Sequence, residues 1–288
     1  MSLPAALFLC AALVVTPALG APTAVVDAVQ MPAWVERDGR GQPLSPDMTL
    51  AAGDRVRTGA DARVYLKLPE GSTVKLGENA VLSLKDMERK PGNLTTVALD
   101  VARGAFRFTT GVAGKLVRRD VRIRVDAVTA GIRGTDLWGK SDAERDLVCL
   151  IEGRISVRHQ DGEPVEMNEP LTFFAAPKGQ PAQPVAPVDP DKLKQWAAET
   201  EILPAAGAAR RGGRWKLVLA TAADSQDARA VHDKARNAGY AAELRPRSSG
   251  SRRSFDVLIR NLPNRAEADQ LVQRVKAELG LAAAKPEI

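Results

Sequence analysis

Short runs in which apolar and polar residues alternate dominate the chain from residue 24 to residue 175. Val64, Leu66 and Leu68 alternate with charged or polar residues, and glycine-bearing turns separate such runs. The same period recurs at Val97–Val101, Phe106–Phe108, Val121–Val125 and Ile155–Val157. Short alternating strands between turns predict an all-β domain, a sandwich or a rolled barrel, with one core and a charged exterior.

The last third of the chain contains one pattern twice. Each copy is a period-2 run, opening at Trp215 or Phe255, followed by a polar turn and a 3.6-period run that ends near Gly239 or Gly280. Each copy therefore predicts a strand, a loop and an amphipathic helix. A further strand is predicted over Tyr240–Arg247. The resulting order indicates an α+β domain of ferredoxin-like split βαβ type, with helices on one face of the sheet and the other face open.

This C-terminal stretch, about 212–284, resembles the SPOR domain, an envelope module that binds peptidoglycan. The resemblance is carried by the two repeated units, by Gly239-Tyr240, and by Phe255-Asp256-Val257-Leu258-Ile259 followed by Asn264-Arg265-Ala266-Glu267-Ala268. It implies glycan strands stripped of stem peptides as the ligand. The chain departs from the usual pattern at Val218, where glutamine is common, and at Ala220 and Asn261.

The stretch of about 25–175 resembles the FecR domain, an extracytoplasmic β domain. The matching segments follow the family order: Gly53–Gly59, Glu70–Gly77, Arg103–Phe108, Ile132–Thr135 and Glu152–Val157. Signalling members of that family carry a cytoplasmic segment and a transmembrane helix before the β domain. Here an N-terminal export signal stands in their place, so the resemblance implies an envelope scaffold or a surface that binds another envelope protein.

Residues 1–20 have the pattern of a cleavable signal peptide. An apolar run is followed by Ala18 and Gly20, small residues at the positions that a cut after Gly20 requires. The run is too short for a comfortable membrane span, so we expect an exported, periplasmic protein of the cell envelope without a stable membrane anchor. Cleavage would remove Cys10 and leave Cys149, for which burial as a small apolar residue is expected.

Prolines recur through residues 177–190, and alanine, glycine and arginine follow after residue 204. This composition predicts a linker over 176–211 that contains a short helix, about Asp191 to Ile202, whose Trp196 packs back on a domain. The domains are then 21–175, FecR-like, and 212–288, SPOR-like. Because few contacts should cross a linker, we expect the two to fold independently.

The sequence lacks recognisable catalytic motifs. The chain has 44% hydrophobic residues and a formal net charge of +6, which is ordinary for a soluble globular protein. His159 and His232 have no cysteine or carboxylate neighbours at metal-ligand spacing. We find no nucleophile motif and therefore expect no catalytic residue, no metal and no cofactor.

Strand alternation divides the C-terminal sheet into two sets of side chains. The apolar set must face the helices, which leaves the other set on the open face. We therefore take as candidate glycan-binding residues Lys216, Val218, Thr221, Leu258 and Arg260. RNA-recognition sheets stack bases on aromatic residues, and this set contains none, so no nucleic-acid partner is expected. The alternative is an envelope signalling or protein-interaction protein whose SPOR-like domain has lost glycan binding.

Overall fold

The computed structural model describes residues 23–111, 118–132, 134–249 and 252–288. The predicted signal peptide lies outside the described residues. The chain forms a large β structure followed by a C-terminal α/β region. The prediction of a mostly β first half and a mixed C-terminal part is therefore confirmed.

The β structure contains these strands: β1 (Ala24–Gln30), β2 (Ala33–Arg37), β3 (Arg40–Pro43), β4 (Thr49–Leu50), β5 (Arg55–Thr58), β6 (Arg63–Lys67), β7 (Thr73–Leu76), β8 (Val81–Lys90), β9 (Leu94–Thr109), β10 (Arg118–Val125), β11 (Val128–Ile132), β12 (Asp136–Ser141), β13 (Arg145–Glu152), β14 (Ile155–His159), β15 (Val165–Met167), β16 (Thr172–Pro177), β17 (Ala186–Pro187) and β18 (Ala208–Arg210). A short helix, α1 (Pro190–Ala198), precedes β18.

These strands form two sheets that enclose one core. Sheet A runs β18-β1-β6-β7-β9-β12-β13-β16-β17, with β4 beside the start of β1. Sheet B runs β3-β2-β5-β8-β9-β10-β11-β14-β15. Neighbouring strands are antiparallel except β9 and β10, which are parallel. Phe106 and Phe108 of sheet A and Val121 and Ile123 of sheet B are fully buried in the shared core.

Strand β9 belongs to both sheets. Its first part pairs in sheet B as far as Arg103, and its second part pairs in sheet A from Gly104 onward. Gly104 has φ +88°, and a Cβ there would stand 2.5 Å from the Cα of Ala80. Only glycine satisfies both the positive φ and the close approach, so Gly104 makes the crease between the sheets possible.

The segment predicted as a linker packs against sheet A. Residues 186–210, called the strap below, add β17 to one edge of sheet A and β18 to the other. Between these strands, Asp189 caps α1 by accepting backbone N–H bonds from Asp191 and Lys192, an arrangement typical of helix starts. Trp196 of α1 is buried, as expected. The structure thus differs from a linker that few contacts cross.

The strap lies on the outer face of sheet A. Glu201 accepts a hydrogen bond from the Tyr65 hydroxyl (2.9 Å) and pairs with Lys75 (2.6 Å). The backbone N–H of Ile202 donates to the same hydroxyl (2.7 Å). These partly buried polar contacts fix the end of α1 over the centre of sheet A.

The C-terminal region contains β19 (Trp215–Ala222), α2 (Ser225–Asn237), β20 (Glu243–Ser249), β21 (Arg252–Leu262), α3 (Arg265–Leu279) and β22 (Lys285–Glu287). The strands form an antiparallel sheet in the order β20-β21-β19-β22. Leu217, Leu219, Val257 and Ile259 are buried in the core, where both helices pack against the sheet. Strand β22 is absent from the sequence-based prediction.

The helical layer of this region is docked on the β structure. The buried carboxylate of Glu267, in the first turn of α3, accepts backbone N–H bonds from Ala205, Gly207 and Ala208. Arg274 donates to the Met31 carbonyl (2.6 Å). These bonds bind the helices to the strap and to the β1–β2 connection.

Candidate functional site

The predicted site residues lie on the face of the C-terminal sheet opposite the helices. Val218 and Leu258 are direct cross-strand partners, and Thr221 faces Asp256. Their strand neighbours Leu217, Leu219, Val257 and Ile259 belong to the helix-facing core, whereas Val218 and Leu258 do not. Alternation along β19 and β21 places Lys216 and Arg260 on the same face as this pair. The structure therefore brings the five residues together on one surface.

The centre of this face is apolar and largely covered. Val218 is 2% exposed and Leu258 is 7% exposed. One cross-strand row contains Lys285, Val218, Leu258 and Glu243 in that order. The two apolar residues thus form a shallow floor between longer charged side chains, rather than the exposed patch that the sequence predicts.

Most charges around this floor are paired. Glu287 lies 3.6 Å from Lys216 and 3.1 Å from Lys285, and Arg245 pairs with Glu243 at 2.6 Å. Such exposed pairs contribute little to stability and exchange readily with other partners. Arg260 is exposed and forms no hydrogen bond or ion pair with any described residue. Its guanidinium is therefore free to bind a ligand.

A polar cluster closes the far end of the face. The Thr221 hydroxyl donates to Asp256 (2.6 Å), and Arg247 lies 3.4 Å from the same carboxylate. Residues of this surface that sequence reasoning missed as site members are Glu243, Asp256, Lys285 and Glu287. Period-2 alternation could have found Asp256 and Glu243, whereas β22 is too short to show a period.

The arrangement offers hydrogen-bonding groups around a flat surface. Within the described ranges, no group of three or more histidine, cysteine or acidic residues is placed to hold a metal ion. No helix in that part of the chain is long and apolar enough to cross a membrane. Cys149 is fully buried, and burial raises the pKa of its thiol to about 12. A protonated, inaccessible thiol is a poor nucleophile.

Two family models match the chain. Residues 54–156 match the family described as FecR protein, and residues 212–284 match the SPOR domain family. The chain carries a FecR domain followed by a SPOR domain. Both predicted resemblances and their order are confirmed. Both families are non-catalytic and indicate an envelope protein, and the SPOR domain points to peptidoglycan as a partner.

Two solved structures resemble the chain at low similarity. Both are crystal structures of a candidate anti-sigma factor from Parabacteroides distasonis. The first is 12% identical with a TM-score of 0.40, covering 69% of this chain and 96% of that chain. The second is 14% identical with a TM-score of 0.39, covering 78% and 91% respectively. These scores are too low to carry an argument. No curated protein matches the chain.

The strap and the last strands of the sandwich lie outside both family matches. The FecR match ends within β14, and the SPOR match begins directly after β18. The contacts of Glu267 with Ala205, Gly207 and Ala208 therefore join the SPOR domain to residues that precede its matched range.

Proposed function

We propose that this protein is an exported, periplasmic envelope protein that binds the glycan strands of peptidoglycan through the open face of its SPOR domain. The FecR domain serves as the scaffold that holds this face, or as a surface for another envelope protein. The proposal is carried by the match of residues 212–284 to a peptidoglycan-binding family. The strand order and the two helices on one face support a ferredoxin-like arrangement for this domain.

The position of the helices supports the use of the open face. The helical layer is engaged by the FecR domain and the strap through Glu267 and Arg274. None of the five candidate residues forms a hydrogen bond or ion pair with described residues of the FecR domain. A long ligand could therefore approach the open face without displacing the scaffold.

The chemistry of the face suits a sugar strand, which offers hydroxyl groups, acetyl groups and apolar ring faces. We assign Arg260 and Lys216 as hydrogen-bond donors to hydroxyl and acetyl oxygens, with Thr221 and Asp256 as the polar end of the surface. Val218 and Leu258 form an apolar floor beneath these polar side chains. Flat binding surfaces of this kind gain affinity from many modest contacts along the ligand.

The test is co-sedimentation of the full chain with purified sacculi. Arg260→Glu replaces the free cation and should weaken sedimentation about tenfold, the effect of losing one charge-assisted hydrogen bond of about 1.4 kcal/mol. Arg229→Glu is the matched control because Arg229 is an exposed arginine on α2 that forms no hydrogen bond or ion pair with any described residue. Its binding should equal that of the wild type.

Val218 is unsuitable for a charge reversal because a carboxylate at this buried position would destabilise the fold. Wild-type protein that fails to sediment, or an Arg260→Glu variant that binds as well as the Arg229→Glu control, would contradict the proposal. Either result would favour a protein-interaction role for the SPOR domain.

A further inference from the structure

A second surface of the protein has unassigned features of a ligand site. A cavity of about 470 Å³ opens on sheet B of the FecR domain, over strands β10, β11, β14 and β15. Its polar lining comes from Asp120, Arg154, Ser156, Glu166 and Asn168. The volume falls within the range of small-molecule sites.

Of the five polar side chains that line this cavity, the Asp120 carboxylate pairs with Arg122 at 3.1 Å, and the other four have no partner among the described residues. The side chains of Arg154, Ser156, Glu166 and Asn168 form no hydrogen bond or ion pair with any described residue. A different cavity, of about 530 Å³, lies beside α1 and has charged walls too. There the charges are already paired, as in the 2.9 Å contact between Lys140 and Glu199. The sheet B cavity differs in that the side chains of Arg154, Ser156, Glu166 and Asn168 converge on it without a described partner.

Gly131 lies within the cavity wall and has no structural need to be glycine. It sits inside strand β11, opposite Ser156, and its φ is not positive. An added Cβ would meet nothing closer than the Ser156 carbonyl oxygen at 3.9 Å. Glycine inside a strand costs stability and often marks a place where a ligand approaches closely. The missing side chain at Gly131 deepens the cavity over the sheet.

Sheet B is also the sandwich face that the strap leaves uncovered. The outer face of sheet A is occupied by Trp196 and Glu201 of the strap. The cavity on sheet B opens outward, because Ser156 lies between the core residues Ile155 and Val157 along β14 and therefore points to the opposite face of the sheet. A ligand can therefore reach it in the intact protein.

We propose that this cavity is a second carbohydrate site, which holds one or two sugar units of a polysaccharide. Guanidinium, amide, hydroxyl and carboxylate groups together match the mixed donors and acceptors of a sugar. Gly131, which has no side chain, leaves room for a sugar ring to lie close to the strand. Asp120 and Glu166 disfavour a phosphate, since like charges repel.

Two carbohydrate sites in one chain would bind a polysaccharide network with higher avidity than either alone. The FecR-domain site is independent of the open face of the SPOR domain, because it shares no residue with that face. Its test therefore separates the two proposals.

The experiment measures binding of soluble N-acetylglucosamine oligosaccharides to the full chain by calorimetry, in an Arg260→Glu background. Gly131→Val fills the cavity floor with a residue favoured in strands. We expect it to keep or raise the melting temperature while weakening binding about tenfold or more, equivalent to losing one good contact. Thr129→Val, on the same face of β11, is the matched control and should bind normally.

The outcomes are distinct. Retained binding by a folded Gly131→Val variant would overturn the inference, as would an Arg260→Glu protein that binds no oligosaccharide while the wild type does. Loss of binding in Gly131→Val with normal binding in Thr129→Val supports it. If Arg260→Glu changes neither sacculus nor oligosaccharide binding while Gly131→Val abolishes both, the FecR-domain site stands and the SPOR-face proposal fails. Asn168→Ala, at the cavity rim, should weaken binding without altering the melting temperature.

Discussion

The indole rings of Trp138 and Trp196 stack in parallel, with centroids 5.0 Å apart and an interplanar angle of 1°. Trp138 belongs to β12 of sheet A, and Trp196 belongs to α1 of the strap. Phe173 meets the Trp196 ring edge-on at 5.9 Å. Aromatic pairs of this geometry stabilise beyond the area they bury. The stack therefore fixes the strap to the sandwich.

Trp196→Ala should release the strap. Removing a buried aromatic side chain typically costs about 3 kcal/mol of unfolding free energy or more. We expect a lower urea midpoint and new protease cleavage between residues 177 and 212. Lys194→Ala, an exposed change on the same helix, should leave both measurements unchanged. Equal protease resistance in the Trp196→Ala variant would contradict a docked strap.

Glu267→Ala should loosen the junction between the SPOR domain and the strap. The substitution leaves the N–H groups of Ala205, Gly207 and Ala208 without their acceptor, and unsatisfied buried donors cost about 1–3 kcal/mol. Hydrogen exchange should accelerate at these three amides, with a lower melting temperature for the domain. Asp269→Ala, an exposed change on α3, serves as the control. Unchanged exchange rates would show that the junction does not depend on this carboxylate.

Acid should weaken the attachment made by Glu201. Partial burial alone would raise the pKa of this carboxyl, but hydrogen bonds from Lys75 and Tyr65 outweigh burial and lower its pKa below the usual 4.5. Its contribution is therefore present above pH 4.5 and is lost as the pH falls through the lower folded-state pKa. Glu201→Gln should be less stable than wild type at pH 7, by about 1–2 kcal/mol. Urea titrations should show the difference shrinking toward pH 3; a constant difference would contradict this.

Both tyrosines of the chain should resist ionisation. Burial, aided by the hydrogen bond to Glu201, raises the pKa of Tyr65 to about 12. Burial and the contact with Glu278 raise the pKa of Tyr240 further. The chain has two tyrosines, so the native protein should show almost no phenolate absorbance at pH 10, where a free tyrosine is half ionised. Protein unfolded in guanidinium supplies the reference. Ionisation of the tyrosines of the native protein near pH 10 would be inconsistent with the structure.

Much of the fold could be predicted from the sequence because burial follows strand alternation. Leu217 and Leu219 lie under the helices as their period requires, and the apolar set of β10 faces the sandwich core. The helix ends also follow local chemistry: Asn264 caps α3 and Gly280 ends it with φ +64°. Strand alternation and helix capping depend only on residues close together in the chain, so both can be recognised in a single sequence.

The helix of the strap could be predicted, but its strands and β22 could not be, because their pairing depends on distant partners. The prolines in 177–190 predict an extended segment. Such a segment can lie either in solvent or against a sheet, and the prolines do not distinguish the two. The three residues of β18 have no period of their own and pair with β1, far away in sequence. The burial of Val218 has the same origin, since its neighbours Lys285 and Glu287 come from β22. Pairing between strands that are far apart in the sequence therefore determines these parts of the fold, and the local sequence pattern does not reveal it.

The pairing of β1 with β18 also sets how the protein would respond to tension. Ala28 faces Arg210 and Gln30 faces Ala208. A force applied between the start of β1 and the SPOR domain therefore acts on both strands at the Ala28–Arg210 end of the pair. Antiparallel bonds loaded in this way break in succession rather than together. Force spectroscopy should show a first event at low force that separates β18 from β1; a single high-force rupture would contradict this. A wall-bound molecule would then lengthen under load before either domain unfolds.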